Sequence, residues 1–185
     1  MDDQVSISTP FGNELRFKIV YDDNINEYKG QQLFESKKLK AEISFKYSES
    51  NCHITEYYES GQIKRIYSLV DNKFGGIVLM YYKSGILKLE ISYVDGKKTG
   101  SMKRYSKSGK LIQWKMFQDD KLHGISYEYH LSGDFKRKLE FYNGYVVDGD
   151  LYNTDGTARK MTHAHFENLG LSYREKSSMC ITSIL

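Results

Sequence analysis

At 185 residues and 39% apolar side chains, the chain has the length of one ordinary domain but is too polar for a thick two-sided core, since globular chains carry about 45–50%. Its 27 basic and 24 acidic side chains leave a net charge of +3, so no field compels nucleic acid or an anionic membrane as a partner. The 16 Tyr, 9 Phe and single Pro, with scattered β-branched residues, favour strands over helices.

The chain opens on "MDDQVSISTP", which is acidic and lacks the basic and apolar regions of a leader, and its longest apolar run, "GGIVLMYY", is too short to cross a bilayer. The expectation is a soluble, cytoplasmic protein. Cys52 and Cys180 stand far apart with no metal-type spacing and read as free thiols.

A period then takes over. Ser60-Gly61, Ser84-Gly85, Ser108-Gly109 and Ser132-Gly133 stand 24 residues apart, and Asp155-Gly156 follows at 23. A second glycine comes 15 residues later in three copies, at Gly76, Gly100 and Gly124. Tyrosine precedes the first glycine by four positions at Tyr57, Tyr81, Tyr105, Tyr129 and Tyr152. Run backwards, the frame puts Asn13 and Lys37 where glycines would stand, giving about seven copies, of which the first two have lost that glycine. The expected organisation is an N-terminal cap with degenerate repeats over 1–56, strong repeats over 57–156, and a C-terminal cap over 157–185.

Within a copy, apolar residues alternate, as at Leu87, Leu89, Ile91 and Tyr93, which is the period of a half-buried strand. Asp95-Gly96, Asn143-Gly144, Asp71-Asn72 and Asp119-Asp120 then supply residues that tolerate positive φ and close a hairpin. Each unit is therefore strand, turn, strand, turn. The fold class is all-β: an elongated meander of hairpin repeats in one twisted sheet with terminal caps, roughly 65 Å long at the usual strand spacing.

The units "DNKFGG", "DGKKTG" and "DDKLHG", each followed by a tyrosine and then Ser-Gly, resemble MORN repeats of the bacterial variant type. The resemblance is strong over 57–156, weak before it and absent from the tail. It implies a non-enzymatic scaffold whose partners differ from protein to protein; some bacterial members are labelled YwqK-like antitoxins, which neutralise a toxin by binding it, and some eukaryotic members are linked to membranes or lipids. Two departures predict a bulge or changed turn: Cys52 in place of a second glycine, and Gly149 one residue late.

Catalytic constellations are missing from the sequence: the glycines fall once per turn, no phosphate loop or nucleophile elbow is present, and the reading is that the protein is not an enzyme and needs no cofactor. His163 and His165 with Glu167 would share a face of an edge strand and could in principle hold zinc, but no further ligand stands near, so no metal is expected. Lys40, Lys64, Lys88 and Lys136 form one column, and Lys73, Lys97 and Lys121 another near the turns. Such columns suit an anionic ligand, lipid or nucleic acid, or simply keep a face solvated, with Glu42 and Glu90 partly cancelling the field.

Copy five breaks the alternation. Its core positions read Leu111, Gln113, Lys115 and Phe117, while Ile112, Trp114 and Met116 take the polar ones. Either a bulge exchanges the faces or an apolar patch is held outside for a partner protein. The tyrosine column reads as stacked core, and the tail as a capping strand or short helix, its final Ser183-Ile184-Leu185 having a PDZ-ligand pattern. The function expected is protein binding, in an antitoxin, immunity or complex-assembly role, with membrane-lipid or nucleic-acid binding through the lysines as the alternative.

Overall fold

The computed structural model describes residues 4–24, 26–46 and 49–176; Cys180 and the terminal tripeptide lie outside the described residues. Among the described residues the fold is an all-β antiparallel meander of fifteen strands in which strand order follows chain order, with one short strand off the path. The contacts divide the chain into two units, Met1–Lys97 and Lys98–Leu185.

The first unit contains β1 (Gln4–Ser8), β2 (Glu14–Asp22), β3 (Glu27–Leu33), β4 (Leu39–Phe45), β5 (Asn51–Tyr57), β6 (Ile63–Val70), β7 (Lys73–Tyr81) and β8 (Leu87–Val94). Alternate residues of these strands bury one face: Leu15, Phe17, Ile43, Ile54, Tyr67, Leu69 and Val78 are all nearly inaccessible. Phe11, in the turn after β1, meets Tyr67 of β6 and Phe74 of β7 edge-on at 5.3 and 4.9 Å. Strands so distant in the pairing order reach that turn only if the sheet curls over its own buried face, as the twist of strands allows.

The second unit contains β9 (Lys97–Tyr105), β10 (Leu111–Gln118), β11 (Lys121–Leu122), β12 (Gly124–Tyr129), β13 (Phe135–Tyr142), β14 (Tyr145–Tyr152), β15 (Ala158–Lys160) and the helix α1 (His163–Asn168). Its buried face is smaller, built from Leu139, Phe141, Val146, Met161 and Phe166. Phe166 of α1 packs onto it, and a strand bridge from Tyr173 to Val146 carries the chain back along β14. The C-terminal segment therefore covers the last hairpin through a helix and one bridge. Gly149 leaves the space for it: a Cβ there would lie 2.9 Å from Leu139 and 3.0 Å from both Met161 and Phe166.

The turns follow from their sequences. Asp71-Asn72, Asp95-Gly96, Asp119-Asp120 and Asn143-Gly144 all have positive φ at both residues, as two-residue hairpins require. The amides of Gly96, Asp120 and Gly144 donate to Phe74, Lys98 and Leu122, each 22 residues earlier, so a turn is tied to the preceding hairpin. At the other turns the glycine amide donates three residues back, as from Gly61 to Tyr58 and Gly85 to Tyr82.

The frame of the first copy is corrected by the same bond. Gly12, not Asn13, has the positive φ and donates to Thr9, so this copy keeps its glycine. Asn13 satisfied the sequence period because Gly12 stands 25 residues before Lys37, one more than the period; β1 and β2 also pair without the register shift seen in the second to sixth copies. Lys37 does replace a glycine, holding φ at 63° and donating to Phe34. At Cys52 the expected bulge is absent, since β5 keeps one register against β4 and, around this residue, against β6. Register shifts at Gly76 and Gly124 coincide with positive φ, which a cysteine adopts reluctantly. At copy six the bulge is present, with Val147 left unpaired between β13 and β14.

Candidate binding surfaces

The lysine column is a column of bulges. Register shifts leave Lys40, Lys64, Lys88 and Lys136 without a cross-strand partner, and in copy five the same shift leaves Ile112. An unpaired residue at a strand start is under no demand to fill a core, and a long charged side chain keeps it solvated. Lys88 places its ammonium 5.7 Å from the centre of the Tyr82 ring. Glu42, expected to oppose the column, accepts hydrogen bonds from Tyr57 at 2.6 Å and Gln31 at 3.0 Å. Burial first, and then this bond, push the Tyr57 hydroxyl up to about 12. Lys73, Lys97 and Lys121 open their strands directly after the two-residue turns.

Because the bulge recurs in every copy from the second to the sixth, it does not by itself explain the inverted alternation of β10. Bulge and inversion occur together. Trp114 and Met116 lie two apart on one face, half-buried, and Trp114 stacks on Tyr127 of β12 with centroids 5.5 Å apart and planes 9° from parallel. The stack continues through Phe135 to Tyr152, at 5.3 and 5.4 Å, with Tyr129 against Phe135 at 5.2 Å. Phe135 is 43% exposed, so this aromatic layer faces solvent. The tyrosine column is corrected accordingly. Tyr57, Tyr81, Tyr105, Tyr129 and Tyr152 are all half-buried, and none belongs to either buried cluster. Their positions fall on the face opposite the core, where Tyr129 and Tyr152 stack on Phe135 and the Tyr57 hydroxyl reaches Glu42.

On the opposite face of β10, Gln113 and Lys115 take core positions. Gln113 donates to Glu128 at 3.2 Å, and Glu128 is gripped by Arg137 through both Nε and Nη2 at 2.6 Å. Among the described residues Lys115 finds no hydrogen-bond or ion-pair partner; burial pushes its ammonium pKa down, partly offset by the charge of Glu128. Beside it lies a cavity of about 170 Å³ lined by Lys115, Ser126, Glu128 and Arg137 and by leucines that include Leu139 and Leu171. Ser126 is 3% exposed and its Oγ has no hydrogen-bond partner among the described residues.

The same pair occurs three repeats earlier. Arg65 meets Glu56 at 2.7 Å, Tyr67 donates to the other Glu56 oxygen at 2.8 Å, and the guanidinium lies 3.8 Å above the Phe11 ring. Sequence reading missed both pairs. The signal was present, since Glu56 and Glu128, like Arg65 and Arg137, stand three periods apart, the arginines in a column otherwise read as apolar.

The zinc arrangement is not formed. Residues 163–168 are helix rather than strand, His165 Nδ1 accepts the Thr162 amide proton at 2.9 Å, and His163 stands 3.8 Å from Glu167. Among the described residues, no three metal-type side chains converge. No described helix is long and apolar enough to cross a membrane.

The MORN repeat variant family matches the chain at residues 53–71 and 74–95, which cover β5 through β8 and carry repeats of that type. None of the curated proteins matches significantly. Among solved structures, a point mutant of S. aureus TarM, in complex with fondaparinux, alpha-GlcNAc-glycerol and UDP, aligns at 13% identity and a TM-score of 0.28 over 83% of this chain. The chain spans about 24% of the length of that one.

Proposed function

We propose that the protein is a non-enzymatic repeat scaffold that binds a partner protein through the aromatic face centred on Trp114. One observation carries this reading: β10 puts Trp114 where the corresponding residues are Glu42, Glu90 and Lys138, with Ile66 the exception, while Lys115 takes a core position. Folding gains little from that exchange, because a half-buried ammonium is partly desolvated and a half-buried tryptophan forgoes full burial. A layer of touching rings, stacked at Trp114–Tyr127 and tilted by 30–42° around Phe135, offers large contact area at little cost in side-chain order, which is the character of binding hot spots. The partner is a protein with a complementary apolar surface, held by occlusion rather than chemistry, as an antitoxin, immunity or complex-assembly role requires.

The test compares wild type with Trp114→Ser in pull-downs from the native organism's extract at low and moderate salt, followed by reconstitution with the purified partner. Binding that survives moderate salt and weakens at least tenfold in the folded variant supports the reading. Retention of nucleic acid or lipid that elutes with salt, untouched by the substitution, would favour the lysine column instead.

A further inference from the structure

We propose that the cavity beside Lys115 in the second unit binds a small aliphatic monocarboxylate. Three features meet there. Lys115 occupies a core position that the first unit fills with Ile43, Tyr67 and Ile91, and among the described residues its ammonium has no hydrogen-bond or ion-pair partner. Ser126, buried to 3% exposure on the facing strand, carries a hydroxyl with no hydrogen-bond partner among the described residues. Both line one cavity whose remaining wall is largely hydrocarbon, including Leu139 and Leu171. A buried donor left unmade costs free energy, and the half-buried Lys115 ammonium beside Ser126 is partly desolvated, so the two donors at one opening suit an acceptor.

Charge fixes the class of that acceptor. Glu128 is already held by Arg137 and Gln113, and with Arg104 exposed to solvent, Lys115 is the cation of the cavity lining that no described carboxylate bonds. A monoanion matches it. The ligand's carboxylate accepts from the Lys115 ammonium and the Ser126 hydroxyl, while its alkyl body lies on the leucines. At about 30 Å³ for each water-sized group, 170 Å³ admits about six non-hydrogen atoms, the size of butyrate, with 3-methylbutyrate one atom larger. A phosphate dianion fits less well, having twice the charge and no apolar surface for the leucine wall.

The experiment is calorimetric titration of the full chain with butyrate and 3-methylbutyrate, with 3-methylbutanamide and inorganic phosphate as contrasts. The expected result is saturable binding at one site per chain, at least tenfold weaker for the amide and for phosphate. Lys115→Met removes the charge but keeps the length; it is expected to fold, to melt higher than wild type without ligand, and to lose at least tenfold in carboxylate affinity. Ser126→Ala is expected to lose severalfold and gives the same reading if the first variant fails to fold. No saturable carboxylate binding by folded wild type, equal binding of amide and acid, or affinity unchanged in both variants would overturn the proposal. Because the cavity opens on the face away from Trp114, its failure leaves the protein-binding reading untouched, and the reverse.

Discussion

Glu56–Arg65 and Glu128–Arg137 are one ion pair written twice on strand pairs of equal register, and the surroundings make them different objects. In the first unit the pair is closed off. Side chains of Glu56 and Arg65 are 5% and 12% exposed, Tyr67 engages the second carboxylate oxygen, and Phe11 folds over the guanidinium. In the second unit Leu139 stands where Tyr67 would, Gln113 supplies the extra bond, and a cavity and an unpaired lysine adjoin the pair. The comparison separates a polar group kept for structure from one left open to a ligand. The match is not complete even in the first cluster, since the buried Nε of Arg65 has no hydrogen-bond partner among the described residues, so the contrast rests on Lys115, Ser126 and the cavity rather than on full pairing of the first pair.

The sharpest way to break the comparison is to remove the cation from each pair. Arg65→Ala leaves a buried carboxylate without compensation and should cost about 3–5 kcal/mol. Arg137→Ala should cost less, about 1–2 kcal/mol, because Lys115 stands ready to replace the lost charge and the cavity admits water to Glu128. Urea denaturation of both variants measures the difference. Equal losses would mean that the two clusters are buried alike and that the second is not open.

Why these pairs escaped the sequence while the meander did not is a matter of what repetition encodes. The turn residues Asp95-Gly96 and Asn143-Gly144 recur because backbone geometry demands them, so their phase could be read directly. Polar residues in apolar columns looked like noise, since only the curl of the sheet and the cap reveal what lies above them. The bulge was hidden for the opposite reason. An extra residue at Lys40, Lys64, Lys88, Ile112 and Lys136 recurs once in each of those copies and so leaves a regular period intact. The tyrosine column misled because an aromatic at fixed phase suits a stack on either face of a sheet. At His163 to Asn168, too few residues remain for a period to distinguish a short capping helix from an edge strand.

Alkaline titration sharpens the contrast at Tyr67. Burial foremost, and then the charge of Glu56, push its hydroxyl pKa well up, whereas the unfolded chain's tyrosines ionise near about 10. A raised folded pKa means the stabilisation is complete below about 10 and is lost as pH rises beyond it, while the unfolded chain gives up its proton and the folded one does not. The gap in urea midpoint between wild type and Tyr67→Phe should therefore be largest at about pH 8 and shrink towards about pH 11. A gap that stays constant would mean Tyr67 ionises as freely folded as unfolded. Leu139→Phe, at the equivalent place in the second unit, should show no such narrowing, having no hydroxyl to titrate.

The smallest effect on stability is expected at Ile112, and it is informative for that reason. Ile112→Lys restores the residue that four other copies carry at the same bulge, where no cross-strand partner is lost and a charged side chain is tolerated. Its stability should match wild type to within about 0.5 kcal/mol in urea denaturation. If β10 departs from the pattern for the sake of a partner, the same substitution should weaken that partner's binding severalfold, because a hydrated ammonium then sits at the edge of the Trp114 face. A partner bound equally well by Ile112→Lys would confine the contact to Trp114, Met116 and the stacked rings, and leave the isoleucine as a neutral variation of the bulge.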